Sequence, residues 1–277
     1  MTLLEKKSDP RLDPRVPLLT RIKFPRIWVR IPGFRVEDLQ EDRFDEALEH
    51  IKNCYLMDDP LCRTTNILKD EESIDNYLKL IRWWMQDTQS LIAINEETGE
   101  IVGTLVERVL DLYLMKTFSN VMNYRGESLC KIQKFRIHMN KSVDLNKIFR
   151  VNNYTQIYVW SVNSKYRNLG VPEALLQASI LQTKSFKLRI VSIVVTDYSD
   201  QAIALDEGFQ CMFEFPYNKW ERDTKLKFDN AESECKSAML MVMNISTNPK
   251  YRNKHLQEVK ERLREAVFKK TKLAKLR

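Results

Sequence analysis

The sequence predicts a single α/β domain built on a mixed sheet and followed by a basic helix. Three observations carry that prediction. Residues 156–195 run strand, turn, helix, strand, the spacing of a parallel pair crossed by a helix. Two apolar runs, "SLIAI" and "EIVGTLVERVL", flank "NEETG", a hairpin pattern. Two stretches between 44 and 85 carry apolar residues at helical spacing.

Taken in order, residues 1–23 form an extension without a core pattern, interrupted by Pro10, Pro14 and Pro17. "RIWVRI" (26–31) reads as the first strand, ended by Pro32 and Gly33. Phe44, Ala47, Leu48, Ile51, Cys54 and Tyr55 form one helical stripe; "MDDPLCRTTN" reads as a loop. Ile74, Tyr77, Leu78, Ile81, Trp84 and Met85 form a second stripe, and the hairpin comes next. Residues 111–152 are mixed in polarity, with helical pieces and no clear boundaries. From 156 come the strand "QIYVWSV", a helix over 172–184, the strand "RIVSIVV", a short helix closing on Gly208, and the strands "QCMFEF" and "AMLMVMNI". The plan is an extension over 1–23, a domain over 24–247, and a basic amphipathic tail over 248–277.

At 277 residues, 43% hydrophobic and 30% charged, the chain can bury a large core. No run approaches the roughly 18 apolar residues of a spanning helix. The charged, proline-broken stretch 1–15 does not read as a secretory signal, so none is expected there. Cys54, Cys62, Cys130, Cys211 and Cys235 are scattered without CxxC pairing, as in a cytoplasmic protein with reduced thiols. His50, His138 and His255 stand apart from cysteine and from each other, so no metal site is expected. Residues 249–277 hold 11 Lys and Arg against 3 acids, or +8 of the net +7, leaving the body near −1. The body is therefore no nucleic-acid reader, and any weak polyanion contact belongs to the tail. Its stripe of Leu256, Val259, Leu263, Ala266 and Val267 equally suits packing on the domain. A monomer is expected.

The sequence has six glycines, and one stands in "YRNLGVP" (166–172), between a strand and a helix. A helix start offers unpaired N–H groups and partial positive charge to a phosphate, and a glycine lets several N–H groups converge on one anion. Arg167 adds a cation.

Arg167-x-x-Gly170-x-Pro172 resembles the pyrophosphate turn, R/Q-x-x-G-x-G/A, of the GNAT acyl-CoA-dependent N-acyltransferases. "VNSKYR" (162–167) is similar to the family's "V-x-P-x-Y-R" lead-in. "DYSDQAIALDEGF" (197–209) resembles its second signature, a helix closing on Gly-Phe. "DDPL" (58–61) and "TGEIVG" (98–103) look like the insect arylalkylamine N-acetyltransferases, over roughly residues 25–247 in all. The resemblance implies a GNAT-like fold, a mixed central sheet with helices on both faces, and acetyl-CoA as cosubstrate. The implied acceptor is a small arylalkylamine-like primary amine.

It also implies roles. Asp59 stands where the insect enzymes carry a general-base glutamate, one methylene longer; a cap for the turn at Pro60 is the alternative. Ser199, with the adjacent Tyr198 as an alternative, is the candidate for protonating the departing thiolate, or else Ser199 caps the short helix. Trp160, Ser161, Val162, Arg167, Asn168, Leu169, Gly170 and Val171 are the cofactor-binding candidates, with backbone N–H near Ser161 and Val162 as oxyanion donors. Pro172, Asp200 and Ala204 depart from the pattern, Asp200 and Thr196 standing at family serine positions and Ala204 at a frequent tyrosine. Proline at 172 removes one N–H from the cradle, a bond worth about 1.5–3 kcal/mol to a charged acceptor. These departures favour a competing expectation, a GNAT-fold protein that binds acyl-CoA weakly or not at all and serves in interaction. Arg167, Gly170 and the acidic 58–61 motif favour the enzyme.

Overall fold

The structure is a computed structural model and describes residues 24–111, 124–224 and 236–246. The predicted N-terminal extension and the basic tail with its apolar stripe lie outside the described residues.

The first strand, β1 (Ile27–Ile31), turns at Pro32-Gly33 into β2 (Phe34–Asp38), which the sequence did not announce. The reason is visible in its side chains: Glu37 and Asp38 are both buried, the reverse of what charge suggests. The first stripe forms α1 (Phe44–His50), which continues through a π-helical turn, Ile51–Tyr55, to Leu56–Asp58. The predicted loop after it is largely helical. Asp59 leaves the helix (φ −61°, ψ 125°) and caps α2 (Pro60–Thr64), with Pro60 where its missing N–H costs nothing. The second stripe is α3 (Glu71–Met85). The hairpin strands are β3 (Leu91–Asn95) and β4 (Ile101–Asp111).

The helical pieces expected between 111 and 152 are α4 (Glu127–Lys141) and α5 (Leu145–Phe149). Next come β5 (Asn153–Val162), α6 (Val171–Ser185), β6 (Ile190–Val195) and α7 (Tyr198–Asp206). β7 (Gln210–Pro216), α8 (Tyr217–Thr224) and β8 (Ser237–Asn244) complete the described chain.

All eight strands join one sheet in the order β1-β2-β3-β4-β5-β6-β8-β7. β5 and β6 are parallel and the other pairs antiparallel, so the sheet is mixed, as predicted. Two adjacent residues of β4 show that helices cover both faces. Glu107 accepts a hydrogen bond from Ser179 of α6, while Arg108 lies over the ring of Trp83 of α3. Consecutive strand residues point to opposite faces, so α6 and α3 lie on opposite sides.

One irregularity positions the site. β5 pairs with β6 only over Thr155–Ile157 and then runs on to Val162 alone on that edge. On its other edge β5 stays paired with β4, with a bulge at Tyr158 between the Val106 and Glu107 partners. A bulge bends its strand and re-aims the residues beyond it. Here the parallel strands part just where the bulge occurs.

Candidate active site

At the parting of β5 and β6 lies a small cleft of about 60 Å³. One wall is β5, through Trp160, Ser161 and Val162; another is the end of α1 and the start of α2, through Tyr55, Asp58, Asp59 and Pro60. Arg167 and Pro172 come from the turn into α6, and Asp197, Ser199 and Asp200 from the start of α7. The sequence thus nominated six of these residues (Asp59, Trp160, Ser161, Val162, Arg167, Ser199) from four separate segments. Asn168, Leu169, Gly170 and Val171 do not line the cleft: the first two are exposed on the turn, and the Val171 side chain is in the core.

Asp59 does two things at once. Its Oδ1 accepts the Cys62 N–H at 2.9 Å, capping α2, and its Oδ2 accepts the Thr196 hydroxyl at 2.7 Å. Capping and a place in the cleft, alternatives in the sequence, coexist in one carboxylate. Ser199 does not cap α7; Asp197 does, accepting the Ser199 N–H at 2.8 Å and its hydroxyl as well. The Ser199 proton is therefore turned to Asp197. Ala204 is fully buried and does not line the cleft.

The backbone of β5 presents donors to the open edge. Asn163 N–H bonds to the Val102 carbonyl at 2.9 Å, toward β4. Strand alternation then turns the Val162 and Trp160 N–H groups to the unpaired edge and Ser161 N–H back to β4. Gly170 adopts φ +81°, ψ 6°, the left-handed conformation that glycine takes without steric cost. A Cβ there would meet only Ile31 Cδ1 at 3.7 Å, so the backbone and not crowding requires glycine. The preceding Ser164–Leu169 winds as a 3-10 helix capped by Asn163. The helix α6 begins at Val171, one residue before the predicted start, with Pro172 in its first turn and no side-chain cap.

Electrostatically the cleft is acidic. Asp58, Asp59, Asp197 and Asp200 face a single arginine. Arg167 spends itself locally: its Nε donates to the Val162 carbonyl at 3.0 Å and its terminal amino group pairs with Asp58. Burial, then Asp197, with Asp59 and Asp58 also contributing against the opposing Arg167, pushes the Asp200 carboxyl up to about 7. No hydrogen bond engages that carboxyl among the described residues. Asp200 thus has a proton affinity raised well above that of an ordinary carboxylate.

Sequence reading missed Arg136 of α4. Its guanidinium donates to the Tyr158 carbonyl at 2.7 Å, the bulge residue, and to the Tyr55 hydroxyl. Burial opposes its charge, but Tyr55, Tyr77, Asp59 and Cys62 outweigh it and hold the guanidinium protonated. Beyond it, farther back along β5, lies a second and larger hollow of about 300 Å³. Tyr158 lines this hollow and Trp160, two residues on, lines the cleft, so the two are neighbours along one strand.

No protein-family model matches the sequence, and no curated protein matches it. Solved structures do. Arylalkylamine N-acetyltransferase 7 of the yellow fever mosquito, so named, superposes with a TM-score of 0.70 at 22% identity, over 81% of this chain and 97% of its own. Arylalkylamine N-acetyltransferase 2 of Aedes aegypti gives 0.65 at 20%, over 77% and 99%. The Drosophila melanogaster polyamine N-acetyltransferase, which forms N-acetylagmatine, gives 0.60 at 14%, over 76% and 99%. At these identities the likeness is one of fold: the chain has the GNAT acetyltransferase fold, with an arylalkylamine N-acetyltransferase-like architecture.

Proposed function

We propose that the protein is an acetyl-CoA-dependent N-acetyltransferase acting on a small primary amine. One observation carries the reading: an ionisable carboxylate, outward-facing strand N–H groups and a left-handed glycine turn at a helix start meet at the parting of β5 and β6. Bound acetyl-CoA would supply an activated acetyl thioester. The turn fits its diphosphate through the left-handed Gly170, the uncapped start of α6 and Arg167. It lacks the N–H that Pro172 removes.

The chain's own groups divide the remaining work. Asp59 Oδ2, in the cleft and bonded to Thr196, is the acceptor for the amine proton, directly or through a water. The Trp160 and Val162 N–H groups are placed to receive negative charge developing on a carbonyl oxygen. Asp200 holds a proton on the α7 side, where the Ser199 hydroxyl is already given to Asp197. The two carboxylates so serve opposite directions of transfer, Asp59 from the α2 side of the cleft and Asp200 from the α7 side.

A second reading has its own support. Arg167 is occupied by Asp58, and four carboxylates surround the one arginine, a poor setting for a diphosphate. On that reading the protein holds acyl-CoA weakly and serves in interaction. Thermal shift with acetyl-CoA and with CoA, followed by thiol release against a panel of amines, decides between them. Stabilisation and amine-dependent thiol release support the enzyme. Stabilisation without release supports the binding module, and the absence of both overturns acyl-CoA binding.

A further inference from the structure

The larger hollow behind Tyr158 is built differently from the acidic cleft. Its wall is aromatic: Trp84 stacks on Tyr158 with ring centroids 4.2 Å apart, and Trp83 is 36% exposed beside them. That surface suits a flat, apolar body. Its charges are mainly positive. Arg108, Arg136 and Lys141 line it, against Asp111 as the one lining carboxylate among the described residues. Asp87 offsets part of this by pairing with Arg108 through Nε. Among the described residues nothing engages the two terminal NH₂ groups of Arg108, whose guanidinium carbon lies 4.1 Å over the Trp83 ring.

The hollow also holds polar atoms with nothing to bond. Gln133, 5% exposed, has its Nε2 donor unpaired, and Gln156, 2% exposed, its Oε1 acceptor. Leaving such groups unpaired is costly, so they point to a ligand that supplies both an acceptor and a donor. A polyamine would bring two or more positive charges to a wall with two guanidiniums and a lysine, where Asp111 is the one lining carboxylate among the described residues and Asp87 is already paired with Arg108. A simple arylalkylamine would fill the aromatic part and leave the arginine fork unused. A carboxylate satisfies the fork in the planar, paired geometry guanidinium favours.

We propose that this hollow takes an aromatic ligand bearing a carboxylate, and that the acceptor is an aromatic amino acid. Its role as acceptor rests on the acyltransferase reading above; its ligand preference does not. In the reaction an N–C bond forms at the α-amine and the C–S bond of the acyl-CoA thioester breaks. One amine proton goes to Asp59, and the thiolate takes a proton from Asp200.

The test uses the full chain with tyrosine, with tyramine and 3-(4-hydroxyphenyl)propionate, which lack its carboxylate and its amine respectively, and with agmatine as a non-aromatic dication. Binding is read by quenching of tryptophan fluorescence, since Trp83 and Trp84 line the hollow. Tyrosine and the propionate should bind at least about tenfold more tightly than tyramine, the scale of one hydrogen bond to a charged partner. Agmatine should not bind. Arg108→Gln should remove the advantage and Arg108→Lys retain part of it. Rising ionic strength should weaken the acids more than tyramine, which decides the matter without a variant if Arg108→Gln does not fold. Tyramine binding as tightly as tyrosine, with no salt dependence of the acids, overturns the preference. If the acids bind but no acceptor releases thiol from acetyl-CoA, the ligand preference stands and the acceptor role falls with the acyltransferase reading.

Discussion

Asp59 joins two functions in one side chain, and a pair of substitutions separates them. The carboxylate caps α2 through Oδ1 and accepts the Thr196 hydroxyl through Oδ2. Asp59→Ala removes both bonds. Loss of the cap costs about 0.5–2 kcal/mol, and loss of a bond to a charged acceptor about 1.5–3 kcal/mol. Because neighbouring terms do not add fully, about 2–4 kcal/mol in total is expected. For a domain of this size that lowers Tm by roughly 5–15 °C. Asn caps a helix about as well as Asp but cannot also accept the Thr196 hydroxyl, so Asp59→Asn should lose that bond, keep the cap, and stay about 0.5–2 kcal/mol more stable than Asp59→Ala. Neither variant retains a carboxylate able to take a proton, so both should lose about 10²-fold or more in thiol release. Thermal melts and a thiol-release assay at saturating acetyl-CoA give the two readouts. Asp59→Asn that keeps wild-type turnover refutes the base. Asp59→Asn as unstable as Asp59→Ala refutes the cap.

Three further outcomes are expected. Gly170→Ala and Gly170→Val should each cost about 1–2 kcal/mol, because φ +81° is unfavourable for any side chain, and should abolish stabilisation by CoA, while Pro172→Gly should increase it; equal CoA-induced shifts in all of them would falsify the cradle. Asp58→Asn releases Arg167 from its ion pair and should strengthen CoA binding in the same assay, with an unchanged shift counting against Arg167 as a phosphate ligand. Glu107, fully buried, is pushed from 4.5 up to about 8, chiefly by burial and further by Asp38, against the Ser179 hydroxyl. Its neutral form is the one the fold accepts, so its stabilising contribution is complete below pH 4.5 and is lost as pH rises toward 8, by up to about 5 kcal/mol. Glu107→Gln should flatten the dependence of Tm on pH across that window and raise Tm at its upper end; a parallel decline in both proteins would count against a neutral Glu107.

What the sequence determined by itself was local. The helical stripes at 44–55 and 74–85, the hairpin around "NEETG" and the strand–turn–helix through Gly170 are set by periods of a few residues and by one backbone conformation. Each is fixed by neighbours in the chain. What only the tertiary structure decided depended on partners far away. β2 hid because Glu37 and Asp38 are buried by contacts no local pattern encodes. Arg136 looked like any charged residue of a helix, and only the bulge at Tyr158 and the Tyr55 hydroxyl make it an internal cation. Asp200 read as a missing serine until burial and three other carboxylates raised its proton affinity. The parting of β5 from β6 has no sequence signal, since strand pairing ends where distant segments stop fitting together. Burial and long-range charge are sums over the whole fold, so a chain read residue by residue shows which groups exist but not which of them share a cleft.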